Sequence, residues 1–201
     1  MPEYREVYRR DGTPTGEIVE KHAPKRPGDY FRHALIVMKT ADSPLPGKGE
    51  GQYIVQQRSL KARFYAGKWD VTGGGVLAKE TPEEAIIREV KEELNLEICP
   101  EQLTLAYEFI AEWDDETGLL LSMYACRLPV PENGFTLNKW EVNDVQVMPF
   151  HIFREHLMNH NDELRRWTGL KHHFSLYKPI SLLLSYPSLL NKTPAAVRQW
   201  I

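Results

Sequence analysis

Residues 74–94 read GGVLAKETPEEAIIREVKEEL, and this stretch decides the fold prediction. Thr81 is a good N-cap, Pro82 suits the first helical position, and Glu84 completes a capping box with Thr81. Apolar residues then follow at helical spacing, at Ala85, Ile86, Val90 and Leu94. The stretch therefore predicts a helix with one buried face and one acidic face.

The acidic residues of this helix are close enough to repel one another. Glu89, Glu92 and Glu93 are three or four residues apart, or adjacent, so they are neighbours on the helix surface. Mg²⁺ prefers such carboxylate oxygens, usually together with substrate phosphates. Arg88 can orient these carboxylates by charge-assisted hydrogen bonds, and Glu80 lies where a helix N-terminus favours a carboxylate. Acidic helix faces are usually plain solvated surface, but the combined pattern indicates a metal site that handles phosphate esters.

The spacing of these residues resembles the box of the Nudix hydrolase family, G-x5-E-x7-R-E-U-x-E-E-x-G-U, where U is a bulky aliphatic residue. The matching positions are Gly74, Glu80, Arg88, Glu89, Val90, Glu92, Glu93 and Leu96. Asn95 replaces the last glycine of the pattern. Asn is the next-best residue for the left-handed conformation expected there, so we predict a small stability cost and no loss of chemistry.

The resemblance implies an α/β/α sandwich built on a mixed β-sheet, and the rest of the chain fits it. Alternating and apolar runs predict a hairpin within 5–20, strands at 31–40, 52–57, 103–113, 119–128 and 142–150, and a helix at 151–159. We predict one domain over residues 1–160 and a helical C-terminal extension, 161–201, packed on it. This extension leaves a homodimer open as an alternative.

The resemblance also implies a reaction, the hydrolysis of a diphosphate linkage in a nucleoside diphosphate derivative or related small molecule. It assigns Mg²⁺ or Mn²⁺ to Glu89, Glu92, Glu93 and the backbone carbonyl of Gly73, and catalytic or orienting roles to Glu80, Arg88 and Glu92. The general base stays open. It is a glutamate of the box or a carboxylate from a loop, with Glu112, Asp115 and Glu141 as the candidates.

A basic segment, RSLKARFYAGKW, lies just before the glycine run. We predict that Arg58 and Arg63 bind substrate phosphates, since arginine does so bidentately; a solvated basic loop is the alternative. This segment and VYRRDGTPTGE resemble the branch of the family related to isopentenyl-diphosphate isomerase. That isomerase needs a cysteine beside its glycine loop, and none lies between Trp69 and Glu80, so we expect a hydrolase.

Composition limits the remaining possibilities. The formal net charge of -3 over 201 residues gives no basis for binding a nucleic-acid polymer. Cys99 and Cys126 are too few for a disulfide framework or a zinc site. We expect a cytoplasmic protein, because the chain has no apolar run of membrane-spanning length and no signal-peptide core. A nucleotide sensor without hydrolytic activity would be expected to lose box glutamates, and none is lost.

Overall fold

The computed structural model describes residues 2–42, 51–63, 65–112 and 117–156, apart from the side chain of residue 112. Within these ranges nine strands form one mixed sheet. The strands are β1 (Tyr4–Tyr8), β2 (Pro14–Glu20), β3 (Tyr30–Thr40), β4 (Gln52–Arg58), β5 (Trp69–Asp70), β6 (Thr72–Gly75), β7 (Thr104–Glu112), β8 (Gly118–Leu128) and β9 (Val142–Pro149). Helix α1 is Pro82–Leu94, a 3-10 turn spans Pro100–Gln102, and a second helix, α2, begins at 150 and is described to 156.

Strand β3 is the centre of the sheet. It runs parallel to β8 along its whole length and antiparallel to β6, from His33 opposite Gly75 to Ile36 opposite Thr72. Nine of its eleven residues are buried, as expected of a strand covered on both faces. On its other side, β8 pairs antiparallel with β7. Strand β4 pairs antiparallel with β9.

A hydrophobic core lies on each face of the sheet. On one face Ala34, Ile36 and Met38 pack in a cluster with the apolar stripe of α1. On the other face Phe31 and Leu35 belong to a cluster that includes Phe153 of α2. The helices therefore cover opposite faces, which confirms the predicted α/β/α sandwich on a mixed sheet. No helix of the described ranges is long and apolar enough to cross a membrane.

Helix α1 begins as the sequence predicts. The Thr81 hydroxyl accepts a hydrogen bond from the Glu84 amide at 3.2 Å, and the Glu84 carboxylate accepts one from the Thr81 amide at 2.8 Å. The predicted apolar stripe is fully buried. The acidic face differs from the prediction, because Glu89 and Glu93 are also buried, at 5% and 4% exposure. Glu89 turns toward the sheet at Gly74, where no side chain fills the space.

The glycine run is a strand, which the sequence did not predict because glycine is depleted in strands. β6 forms because β3 supplies its hydrogen-bonding partner. The hairpin of β1 and β2 and the pairing of β7 with β8 are confirmed, with boundaries shifted by a few residues. The predicted extension 161–201 and the last turn of the predicted helix 151–159 lie outside the described residues.

Asn95 ends α1 in the left-handed conformation that the sequence predicts, with φ of 54° and its N–H donating to the Lys91 carbonyl. Asn95→Gly should therefore leave the free energy of unfolding unchanged or raise it by up to about 1 kcal/mol. Asn95→Ala should lower it by about 1 kcal/mol, because alanine tolerates this φ poorly. Urea denaturation of both variants checks the pair, and equal stabilities would contradict the assigned conformation.

Candidate metal centre

The Arg88 side chain of α1 organises the carboxylates around it. Its Nε and Nη2 donate to the two Glu80 oxygens at 2.8 and 3.0 Å, and Nη2 also donates to the Gly75 carbonyl at 3.1 Å. Nη1 donates to Glu89 at 2.8 Å and to Glu92 at 3.1 Å. These five bonds use every donor of a guanidinium group. Arg88 therefore ties the helix to β6 and to the loop that precedes the helix.

Electrostatics keep this arginine charged. Burial disfavours its cation, but the bonds to Glu80 and Glu89 outweigh burial and raise its pKa. Glu80 is fixed in turn, because its second oxygen also accepts a hydrogen bond from the Leu77 amide at 2.9 Å. Arg88 and Glu80 thus each hold another group in place, and the orienting roles in the reaction stay a prediction.

Glu89 fills the space that Gly74 leaves. A Cβ built on Gly74 would lie 1.9 Å from Glu89 Oε1 and 2.1 Å from its Cδ, so no larger residue fits with the carboxylate in this position. Burial raises the pKa of Glu89, and Arg88 partly offsets that rise. Glycine is therefore required at position 74 as long as the Glu89 carboxylate packs against its backbone.

Glu93 is the least compensated carboxylate of the group. Burial, and then the negative charge of Glu89, raise its pKa to about 8. The nearby side chain of Gln56 of β4 favours the charged form and works against this rise. Oxygen Oε2 of Glu93 is buried without a hydrogen-bond partner, and so is Oε1 of Gln56. A buried polar atom without a hydrogen-bond partner costs about 1–3 kcal/mol. A ligand that binds the free Glu93 oxygen would therefore stabilise the site.

Glu141 completes the group from a distant loop. Oxygen atoms of Glu89, Glu93 and Glu141 all lie within 4.8 Å of one another. The loop is held in place by backbone bonds: the Asn138 amide donates to the Glu93 carbonyl at 3.0 Å, and the Ser59 amide donates to the Glu141 carbonyl at 2.8 Å. Helix α1 and the end of β4 therefore position this third carboxylate.

The structure separates the predicted site residues into two sets. Glu89 and Glu93 belong to the three-carboxylate group, whereas the Glu92 side chain is 52% exposed and is bound to Arg88 outside it. Gly73 lies on β6 opposite Leu35. The side chain of Glu112 and all of Asp115 lie outside the described residues. Their predicted role as a base is untested.

The two arginines that are predicted to bind substrate phosphates lie in different surroundings. Arg58, at the end of β4, is close enough to Glu93 for its charge to lower the pKa of that carboxyl. Arg63 is exposed on the loop that follows. Sequence reasoning missed Gln56. It directly follows the apolar residues 53–55 of β4, and it is almost fully buried, at 1% exposure.

The residues fit a hard divalent cation. Three carboxylates converge, two of them are buried with raised pKa values, and one buried oxygen has no partner. Mg²⁺ and Mn²⁺ take oxygen ligands of this kind, and a cation would remove the repulsion among them.

Known proteins share this sequence pattern. A sequence model of the NUDIX domain matches residues 44–168. Nudix hydrolase 3 from Arabidopsis thaliana is 27% identical over 165 residues, which cover 77% of this chain and 20% of that protein. An 8-oxo-dGTP diphosphatase from Proteus vulgaris is 31% identical over 76 residues, which cover 31% of this chain and 67% of that protein. The matched part of this chain thus spans about a fifth of the Arabidopsis relative.

The fold also resembles that of a solved structure. The crystal structure of DR0079 from Deinococcus radiodurans superposes with a TM-score of 0.60 at 17% identity, covering 91% of this chain and 98% of that one. At this identity the likeness shows the fold alone. The domain match covers more than half of the chain and includes the whole box around the three-carboxylate group. The chain therefore belongs to the NUDIX domain family.

Proposed function

We propose that this protein is a divalent-metal-dependent hydrolase that splits a diphosphate linkage in a nucleoside diphosphate derivative or a related small molecule. The observation that carries the proposal is the convergence of Glu89, Glu93 and Glu141 on one point beside a strand of glycines. Membership of the NUDIX family and the names of two relatives support a hydrolase acting on diphosphate bonds.

The cation in this proposal is Mg²⁺ or Mn²⁺. Glu89, Glu93 and Glu141 would hold it, and the box adds Glu92 and the Gly73 carbonyl as predicted ligands. A divalent cation at this point lowers the pKa of a bound water and neutralises diphosphate oxygens. The protein's own part is to fix the carboxylates: Arg88 holds Glu89 and Glu92, and Glu80 holds Arg88.

Glu92 and Glu141 are the exposed carboxylates at this site, and whichever of them does not bind the cation is the proposed general base for the attacking water. Glu92 is bound to Arg88, which fixes its position but occupies one of its oxygens. Glu141 forms no ion pair with a described residue and reaches the group from a loop. A base must accept a proton directly or through one water, and both side chains border the site where that water would lie. Arg58, close to Glu93, is the proposed contact for substrate phosphate, with Arg63 as a second, more exposed candidate.

A substrate panel tests the proposal. The purified protein would be incubated with Mg²⁺ and, separately, with nucleoside diphosphate sugars, ADP-ribose, coenzyme A, nucleoside triphosphates and prenyl diphosphates. We expect cleavage of a diphosphate bond in at least one class, faster than the metal-free rate by at least about 1000-fold, and its loss in EDTA. Products would be identified by phosphorus NMR and mass spectrometry.

The same panel separates the alternatives. Tight, metal-dependent binding of a nucleotide without any product would identify a sensor module. Conversion of a prenyl diphosphate to its isomer without phosphate release would identify an isomerase. Either result would contradict the proposed hydrolysis.

A further inference from the structure

Arg5 of β1 is a cation that forms no ion pair within the part of the chain that the structure describes. Its Nη2 donates to the Lys21 carbonyl, and its guanidinium stacks 4.3 Å above the centre of the Phe31 ring. Its Nε is buried and has no hydrogen-bond partner, and among the described residues no carboxylate forms an ion pair with it. Burial lowers its pKa. A desolvated cation with an unmade hydrogen bond destabilises a folded protein unless an anion completes it.

His33 lies beside Arg5 on the same face of the sheet. Phe31 and His33 are two residues apart in β3, so their side chains point to one face. Gly75 pairs with His33 in the sheet register, and Arg5 Cδ lies 3.6 Å from the position of a Cβ built on Gly75. The His33 side chain makes no hydrogen bond to a described residue. The residue keeps some solvent exposure, although its imidazole is desolvated enough for burial to be the largest influence on its pKa.

The charges around His33 are positive. Burial lowers its pKa to about 4, and further lowering comes from the cations Arg58, Arg5, Lys21 and Lys25. The Lys21 ammonium is partly balanced by Glu3 at 2.6 Å, whereas no described carboxylate balances Arg5 in this way. His33 is therefore a neutral hydrogen-bond donor within a cationic environment, which suits a bound anion better than a bound cation.

This cationic face adjoins the metal centre. In β6 the Cβ position of Gly74 points to Glu89, and that of Gly75 points to Arg5, so the thickness of one glycine strand separates the two groups. Lys21 lowers the pKa of Glu89 as well as that of His33. Among the described strands β6 pairs only with β3. No described strand covers its other edge, and it is along this edge that we place a ligand in contact with both faces.

We propose that Arg5 and His33 form an anion subsite, which binds a second acidic group of the substrate, a phosphate or a carboxylate, outside the diphosphate that is cleaved. Arg5 Nε and the His33 N–H donate to the oxygens of this group, and the Phe31 ring keeps the guanidinium plane in place. The assignment of this anion to the substrate rests on the proposed hydrolysis. The subsite would make the enzyme selective for diphosphate compounds whose other moiety is itself acidic.

Titration of inorganic phosphate into the metal-free protein in EDTA tests the subsite without any turnover. We expect saturable binding, with NMR shifts at Arg5 Nε and the His33 ring. Arg5→Met keeps the apolar stem on Phe31 and should weaken binding at least about 10-fold. Arg9→Gln removes one exposed charge from the same hairpin and should bind as the wild type does. If Arg5→Met proves unfolded by circular dichroism, Arg5→Lys, which retains charge but lacks the Nε donor, takes its place. Equal affinity of the wild type and the Arg5 variant, or no saturable binding, would overturn the subsite.

Matched substrates then identify the acidic group. UDP-glucuronate against UDP-glucose tests a carboxylate, and coenzyme A against dephospho-coenzyme A tests a phosphate. For one pair kcat/KM should favour the acidic member by about 10-fold, and Arg5→Met should abolish that preference while the neutral member is cleaved at a similar rate. Hydrolysis of both pairs with no preference would mean that the phosphate site does not serve the substrate. Absence of all hydrolysis would contradict the proposed function and leave the phosphate titration to decide the subsite.

Discussion

Glu93→Gln is expected to reduce metal-dependent turnover by at least about 1000-fold while raising the stability of the metal-free protein at pH 8. Turnover falls because the amide removes one negative charge from the three-carboxylate group. Stability rises because the folded protein holds Glu93 in a buried position that disfavours its charge. The two effects have opposite directions, which an unfolded or misfolded variant could not produce.

The pH dependence follows from the direction of the shift. Folding raises the pKa of Glu93 from 4.5 to about 8. Between these two values the folded state binds a proton that the unfolded state has lost. The contribution of Glu93 to stability is therefore fully present below pH 4.5 and is lost as the pH rises toward 8. The loss is of the order of a few kcal/mol, and Glu93→Gln should remove it. Urea denaturation in EDTA at pH 5 and pH 8 measures the difference between the two proteins.

Two control variants sharpen this test. Glu92 is half exposed, so Glu92→Gln should also abolish turnover while leaving the pH dependence of stability unchanged. Glu83→Gln changes an exposed residue in the first turn of the same helix and should alter neither property. Unchanged turnover in both the Glu92 and Glu93 variants would contradict the metal-site assignment.

The sequence predicted most of helix α1 and part of the site. Its caps, its apolar stripe and the left-handed Asn95 depend on neighbouring residues, and local spacing determines them. The burial of Glu89 and Glu93 does not follow from spacing, because a helical pattern shows which residues share a face but not what covers it. What covers Glu89 is the sheet, where Gly74 leaves space for its carboxylate.

Long-range pairing explains what the sequence could not show. Glu141 joins Glu89 and Glu93 only because the loop before β9 hydrogen-bonds to the end of α1. Gln56 reaches Glu93 only because β4 lies under that helix. Arg5 and His33 both lie next to Gly75 of β6, a strand whose formation the glycine content argued against. Each of these contacts joins residues that are distant in the sequence and near in the sheet.

Replacement by alanine should have different consequences at Gly74 and at Gly73, which are neighbours in β6. This contrast is the second large effect that we expect. In Gly74→Ala the new methyl group would meet the Glu89 carboxylate at 1.9 Å, and the carboxylate must leave the metal centre. Metal affinity and turnover should therefore fall about 100-fold or more, with a modest change in stability, because the end of a side chain can move. Binding of Mn²⁺ measured by electron paramagnetic resonance reports the loss directly.

In Gly73→Ala the methyl group would lie 2.4 Å from the Ala34 carbonyl oxygen and 2.6 Å from Leu35 Cδ2. Backbone of a central strand cannot move aside, so the free energy of unfolding should fall by about 1–3 kcal/mol. Gly75→Ala is the stability control, since its nearest contact would be Arg5 Cδ at an ordinary 3.6 Å. If Gly74→Ala lost as much stability as Gly73→Ala and kept its Mn²⁺ affinity, the first glycine of the box would serve the sheet. If the effects separate as expected, that glycine is required by the carboxylate that packs against it.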